Sequence, residues 1–351
     1  MAKIGIDKVK SSFKNFALFT NASGVDSMFR RNIEILDPLF VIVGEHGMYL
    51  EVDRGKDFES YYEYFSGKKI YPIYPTFKED LLDGVDGVLV DIQDVGVRCF
   101  TYVHNIKSII EMAAKKHLKV VVFDRFNPVG KAFGSSCHTD SIVCPKDIPF
   151  LYGVSVGSLA KFFGRKFGAE IEVFETEGNP TYEEMEKFLS NVSQNLNSFQ
   201  SVLLYPSLVL LEGFKYVSVG RGTNKPFRMV LLEDKRIAKE FVEFLKSLDL
   251  KGVLFHETIQ KPCFDTLRGE ILYGVEFFVY DKDNFDQMFF GFNLVKFFFD
   301  NGFEFSKDDS GNLYLDLIYP NLIENLELGN IYKFYEEERI KGSVFLNEIY
   351  K

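Results

Sequence analysis

The sequence predicts an α/β protein whose core is a doubly wound, mainly parallel sheet, and three observations carry that expectation. Four apolar runs of strand length are rich in branched and aromatic residues: FALFT (Phe16 to Thr20), LFVIVG (Leu39 to Gly44), GVLVDI (Gly87 to Ile92) and KVVVFD (Lys119 to Asp124). They read as buried parallel strands. Between the last two lies NIKSIIEMAAKKH (Asn105 to His117), whose Ile109, Ile110, Met112 and Ala113 form one stripe, with the lysines left to water. That is the crossover helix of a right-handed βαβ unit. Third, polar residues follow each run at once: Thr20 and Asn21, Glu45 and His46, Asp91 to Asp94, and Asp124 to Asn127. In a parallel sheet those ends share one edge, where such folds bind ligands, so four separated stretches are expected to converge on one cleft.

Further along, SVGSLAKFFGRKFG (Ser155 to Gly168) reads as a helix, IEVFET (Ile171 to Thr176) as another strand, and PTYEEMEKFLSNV (Pro180 to Val192) as a helix opened by Pro180 and Thr181. An apolar run, SVLLYPSLVLLEG (Ser201 to Gly213), leads into SVGRGTNKPF (Ser218 to Phe227). The texture then changes to a charged helix (Asp234 to Leu248), the strand-like EILYGVEFFVY (Glu270 to Tyr280), and a Phe-rich helix around Asn293 to Asp300. The closing YKFYEEERIKGSVFLNEIY is expected to be helical in its first half. A domain boundary is expected near residues 228 to 233.

The composition excludes several function classes. The 351 residues are 46% hydrophobic and 26% charged, the profile of a globular chain rather than a disordered one. A formal net charge of −10, with no dense run of Lys and Arg, disfavours nucleic acid as a partner. The first ten residues lack a signal-peptide core and no segment reaches membrane-spanning length, so a cytoplasmic protein without a membrane partner is expected. The four cysteines, Cys99, Cys137, Cys144 and Cys263, show neither CxxC spacing nor disulfide-scaffold density, and buried free thiols are the default. No HExxH, Walker loop or GxGxxG after the first strand occurs. Metal and nucleotide chemistry are therefore disfavoured, and no cofactor is expected.

Each candidate site residue has a plainer alternative. Asn21 could shape the turn into Gly24, and Asp124 could make an Asx turn before Asn127 and Pro128. Asp94 and Arg98 could form a buried pair that positions a loop. Glu45 and His46, in GEHG at a strand end, have less structural reason to be polar. SVGRGTNKPF sets Arg221 between two glycines, a plausible anion site. A carboxylate-rich cleft with an arginine, amides and many Tyr and Phe residues suits a glycosidase, which needs a protonated carboxyl as acid and a second group as nucleophile or base. Kinases, transferases and sugar-binding proteins use strand-end carboxylates too.

Together, TNASGVD (Thr20 to Asp26), GEHG (Gly44 to Gly47), DRGKDF (Asp53 to Phe58), DGVLVDIQDVGVRCFTY (Asp86 to Tyr102), VVFDRFNPVG (Val121 to Gly130), LYP with LLEG (Leu204 to Gly213) and SVGRGTNKPF resemble, in order, the signature blocks of the exo-β-N-acetylmuramidases of NamZ type. The resemblance spans about residues 16 to 227, and the tail looks like that family's smaller C-terminal domain. It implies a bacterial glycoside hydrolase that releases terminal, non-reducing β-linked N-acetylmuramic acid from peptidoglycan fragments. It also implies a Rossmann-like catalytic domain over residues 1–229 and a smaller α+β domain over residues 230–351 that completes the cleft.

Carried over by matching motif, Glu45 is the candidate acid, with Asp91 or Asp94 as the second catalytic carboxylate. Asn21, His46, Gln93, Arg98, Tyr102, Asp124, Asn127, Arg221 and Thr223 are the expected substrate-binding residues. N-acetylmuramic acid carries a lactyl carboxylate that an arginine fork, Arg98 or Arg221, would hold. The chain departs from the family at Gly44, Phe126 and Ser207, and at Tyr152, where a histidine is usual. A non-catalytic muropeptide or sugar binder is the alternative that Tyr152 would favour, and a nucleotide-using transferase is a weaker one. With cytoplasmic localisation, the substrate would be an imported muropeptide disaccharide and the role wall recycling.

Overall fold

In the computed structural model, residues 1–52, 55–74, 76–265 and 267–350 are described. Asp53 and Arg54 of the DRGKDF block lie outside the described residues. The first half of the chain runs β1 (Phe16–Phe19), α1 (Asn32–Leu36), β2 (Phe40–Val43), β3 (Tyr61–Tyr62), β4 (Lys69–Pro72), β5 (Gly87–Val90), α2 (Tyr102–Lys115), β6 (Lys119–Phe123), β7 (Ala132–Phe133), β8 (Leu151–Tyr152), α3 (Val156–Phe167), β9 (Ile171–Phe174), α4 (Tyr182–Leu189) and α5 (Phe199–Leu208). Among the described residues, seven of these strands form one sheet in the order β3-β4-β2-β1-β5-β6-β9, parallel throughout except for β3. The chain winds outward from β1 to one edge, returns, and winds from β5 to the other. The topological switch point therefore lies between β1 and β5.

Residues alternate between the two faces with period two, as strand geometry requires. Leu18, Leu89, Val121 and Phe123 enter one apolar core, while Ala17, Phe19, Val88, Val90, Val120 and Val122 enter the other with α2 and α3. The helices begin where side chains satisfy their first amides. Ser155 caps α3 and Thr181 makes a capping box with Glu184 at α4.

The second half runs β10 (Met229–Leu232), α6 (Lys235–Ser247), β11 (Val253–Gln260), β12 (Leu272–Val279), α7 (Gln287–Asp300), α8 (Tyr314–Ile318), α9 (Leu322–Glu327) and α10 (Ile331–Ile349). Its sheet is antiparallel, in the order β10-β12-β11. No helix among the described residues is long and apolar enough to cross a membrane.

The structure gives one apolar run its element type and corrects several expectations. The apolar run from Ser201 is a helix, α5, despite Pro206; every residue of α5 is buried, so its sequence has no polar face by which to recognise a helix. The final helix extends through Ile349, because Phe345 and Ile349 pack into the core beneath α2 and α3. Cys137 and Cys144 are not free thiols but a disulfide, with Cα atoms 5.8 Å apart, and Cys263 is exposed. Arg98 does not pair with Asp94: it donates to the carbonyls of Ser135, Ile148 and Ile318.

Candidate active site

The switch point, where an open cleft is expected, is filled. Asp91 is fully buried, and its carboxylate accepts from Arg125 (2.7 and 2.8 Å) and Asn32 (2.8 Å). Thr20 joins in by donating to the Asp91 carbonyl and accepting from Asn32, both at 2.7 Å. Burial raises the Asp91 pKa, opposed chiefly by the Arg125 charge. This deep ion pair, with Asn32 and Thr20 bonded to it, ties the ends of β1, β5 and β6 together, although Arg125 Nη1 and Asn32 Oδ1 are buried without hydrogen-bond partners.

Beside it, Asp94 accepts from the Tyr152 hydroxyl and the Gly96 amide, while its other oxygen is buried without a hydrogen-bond partner. Burial pushes the Asp94 carboxyl up to about 6. Tyr152, at the expected histidine position, is itself buried against this group. Asp124 caps α3 by accepting from Gly157 N–H (2.7 Å) and Ser155 (2.7 Å), and burial raises its pKa. Asn127 closes an Asx turn, accepting from Val129 and Gly130 and donating to the Val154 carbonyl. Gln93 donates to the carbonyls of Asp94 and Phe126. Thr223 donates to Gly220 O and accepts from Lys225 N–H, shaping the loop that carries Arg221.

The open space lies elsewhere, in a cavity of about 1110 Å³ between the parallel sheet and the second half of the chain. Of the expected site residues, Glu45, His46, Tyr102 and Arg221 line it, and Asn21, Asp91, Gln93, Asp94, Arg98, Asp124, Asn127 and Thr223 do not. Glu45 leaves the end of β2, is 8% exposed, and accepts from the Gly55 amide at 2.9 Å. His46 Nε2 stands 4.0 Å from Glu45, and its Nδ1 meets the Val52 carbonyl. Gly44 precedes them with a constraint of its own, since a Cβ there would meet Asn105 Nδ2 at 2.8 Å. Tyr102, the first residue of α2, has a hydroxyl that accepts from Asn21 Nδ2 at 2.6 Å. Asn21 is held in turn by Ser23, whose N–H and hydroxyl both donate to its oxygen. Burial pushes the Tyr102 phenol upward, so it stays protonated.

Across the cavity, Arg221 Nε donates to Glu212 at 2.6 Å and lies 3.9 Å from Asp265, its guanidinium 4.9 Å from the Phe227 ring centre. Aromatic contacts link the two sides. Tyr102 packs on Phe100 (4.9 Å), Phe100 on Tyr205 (6.2 Å) and Tyr205 on Phe227 (4.9 Å), all edge-on. Glu212, Cys99 and Tyr205 were absent from the expected site although they line it. The available signal was the single charge in LVLLEG, a glutamate closing a run of leucines.

The arrangement offers acid groups, a guanidinium and an aromatic wall around a space of ligand size. Comparisons agree with the motifs. The family model described as exo-beta-N-acetylmuramidase NamZ, N-terminal, matches residues 16–200, and its C-terminal counterpart matches residues 203–320. The chain is similar to the peptidoglycan beta-N-acetylmuramidase NamZ of Bacillus subtilis (strain 168), 30% identical over 301 residues, covering 81% of this chain and 72% of that protein. Two DUF1343 family proteins from Bacteroides fragilis NCTC 9343 share the fold. One has a TM-score of 0.84 at 22% identity, covering 99% of this chain and 97% of the other; the second has 0.74 at 20%, covering 100% and 98%.

Proposed function

The chain belongs to the exo-β-N-acetylmuramidase NamZ family, and from that premise we propose a glycosidase that releases terminal, non-reducing β-linked N-acetylmuramic acid from small peptidoglycan fragments. The observation that carries the reading at the site is Glu45: a nearly buried carboxyl group, oriented by the Gly55 amide, on the wall of a cavity that Arg221 faces from the other side. In this reading Glu45 protonates the departing glycosidic oxygen. Arg221 meets the lactyl carboxylate, because it borders the cavity and Arg98 does not. Tyr102 and His46 border the same sugar position. Asp91 and Asp94 act from behind the wall, holding the strand ends that present these groups.

The domain division at 1–229 and 230–351 goes with the proposal, the second unit supplying the Pro262, Phe264 and Asp265 side of the cavity and the Ser306 to Asp309 loop. A cytoplasmic place in wall recycling, with an imported disaccharide as substrate, is its finer part. Hydrolysis of a chromogenic β-N-acetylmuramic acid glycoside, beside the N-acetylglucosamine analogue and the Glu45→Gln variant, tests the core. Release from the muramic substrate alone, lost in the variant, is expected. Equal release from both sugars, or full activity in the variant, would remove the assigned roles.

A further inference from the structure

A glycosidase that protonates its leaving group with one carboxyl canonically uses a second to activate water on the opposite face of the sugar ring or as the nucleophile. Asp91 is held by Arg125 and Asn32, Asp94 by Tyr152 and Gly96, and neither borders the cavity. Glu212 does border it. It comes from the turn Val209–Gly213 that directly follows the wholly buried α5, whereas Asp265 and Asp309 lie outside helices and strands. Its side chain is only 13% exposed, and the 2.6 Å bond from Arg221 fixes its orientation, with Arg221 braced on Phe227.

Glu45 and Glu212 act on different parts of the wall. The Glu45 charge is felt by Tyr102, that of Glu212 by Tyr205 and Cys99, and Phe100 stands between the two tyrosines. Both carboxyl groups border one cavity, along which Tyr102, Phe100 and Tyr205 follow one another. The geometry points to Glu212 as a catalytic residue, the base that activates the attacking water, an assignment that rests on the glycosidase reading of this cavity. Glu212 takes a proton from water as the water oxygen bonds to C1. The bond from C1 to the aglycone oxygen breaks, its electron pair stays on that oxygen, and Glu45 supplies the proton. Solvent then resets both carboxyl groups. The β-linked substrate yields α-N-acetylmuramic acid first.

Proton NMR of the full-length protein cleaving an aryl β-N-acetylmuramic acid glycoside is expected to show the α-anomer before mutarotation. Glu212→Ala is expected to lose about 10²–10⁴-fold in kcat. Azide should restore its turnover by forming the α-glycosyl azide, since azide attacks without giving up a proton. Glu212→Gln, nearly isosteric, serves if the alanine variant does not fold, and should lose activity to a similar degree. The β-anomer appearing first, near wild-type turnover in either variant, or a folded Glu212→Ala protein that azide does not rescue would each overturn the assignment. Failure of the wild-type protein to cleave the glycoside at all would instead overturn the glycosidase reading.

Discussion

Asp94 shows at the scale of one residue how burial and function become entangled. Its carboxyl has lost water, gains only the Tyr152 hydroxyl and the Gly96 amide on one oxygen, and titrates at about 6. A raised carboxyl pKa means that the folded state keeps its proton to higher pH than the unfolded chain does. The Asp94 contribution to stability is therefore greatest below about pH 4 and declines as pH rises towards 6, levelling off beyond. The window corresponds to roughly 3 kcal/mol. Denaturant melts of wild type and Asp94→Asn from pH 4 to pH 7 should show the variant gaining on wild type by that order across the window. Parallel stability curves would contradict the assignment. The sequence marked Asp91 and Asp94 as polar groups at a strand end. It did not distinguish them from Glu45, because the difference lies in partners brought from Asn32, Arg125 and Tyr152, remote in the chain.

Elements were legible where their period was clean. Strands β1, β2, β5, β6 and β9 and helices α2, α3 and α6 carry apolar runs or faces that local pattern can find, whereas the short β4, KIYP, was not among the expected strands. Helix α5 is buried all round, and the two-residue strands β3, β7 and β8 are too short to carry a period. The length of α10 has a tertiary cause as well. Its Gly342 lies so close to β7 that a Cβ would stand 2.6 Å from the Phe133 N and Cα. Helix propensity alone predicts that Gly342→Ala stabilises by about 1 kcal/mol. Here the backbone contact reverses the sign, so the variant should melt at a lower temperature than wild type. A higher melting temperature would show that α10 can move off β7 without cost.

The whole molecule is one packed body around a shared core. A single apolar cluster contains Leu18 and Leu89 of the parallel sheet, Leu204 and Leu208 of α5, Val275 and Phe277 of β12, and Phe334 of α10. Arg98 on one side reaches the Ile318 carbonyl on the other, and Glu338 of α10 accepts from Ser135 and from Tyr319. Location belongs to this scale. Disulfides persist mainly in oxidising compartments, so the Cys137–Cys144 bond weighs against a cytoplasmic site, while Cys99 keeps its proton in a buried position that raises its pKa to about 12. Thiol labelling of protein taken directly from fractionated cells tests the recycling role. The recycling role requires Cys137 and Cys144 to be free in the cytoplasmic fraction, whereas a bonded pair in the envelope or medium, as in this structure, would move the substrate to wall fragments outside the cell.

By itself the sequence determined the parallel α/β layer, the family and the strand-end position of Glu45, because apolar period and short motifs are properties of neighbours in the chain. Only the tertiary structure decided which polar groups meet solvent. Packing closed the switch point over Asp91 and opened a cavity between Glu45 and the Glu212–Arg221 pair. Burial of charge is settled by partners more than a hundred residues away as readily as by the next one: Arg98 donates to the Ile318 carbonyl and Glu338 accepts from the Ser135 amide, and no local pattern records that Glu45 and Arg221 line one cavity.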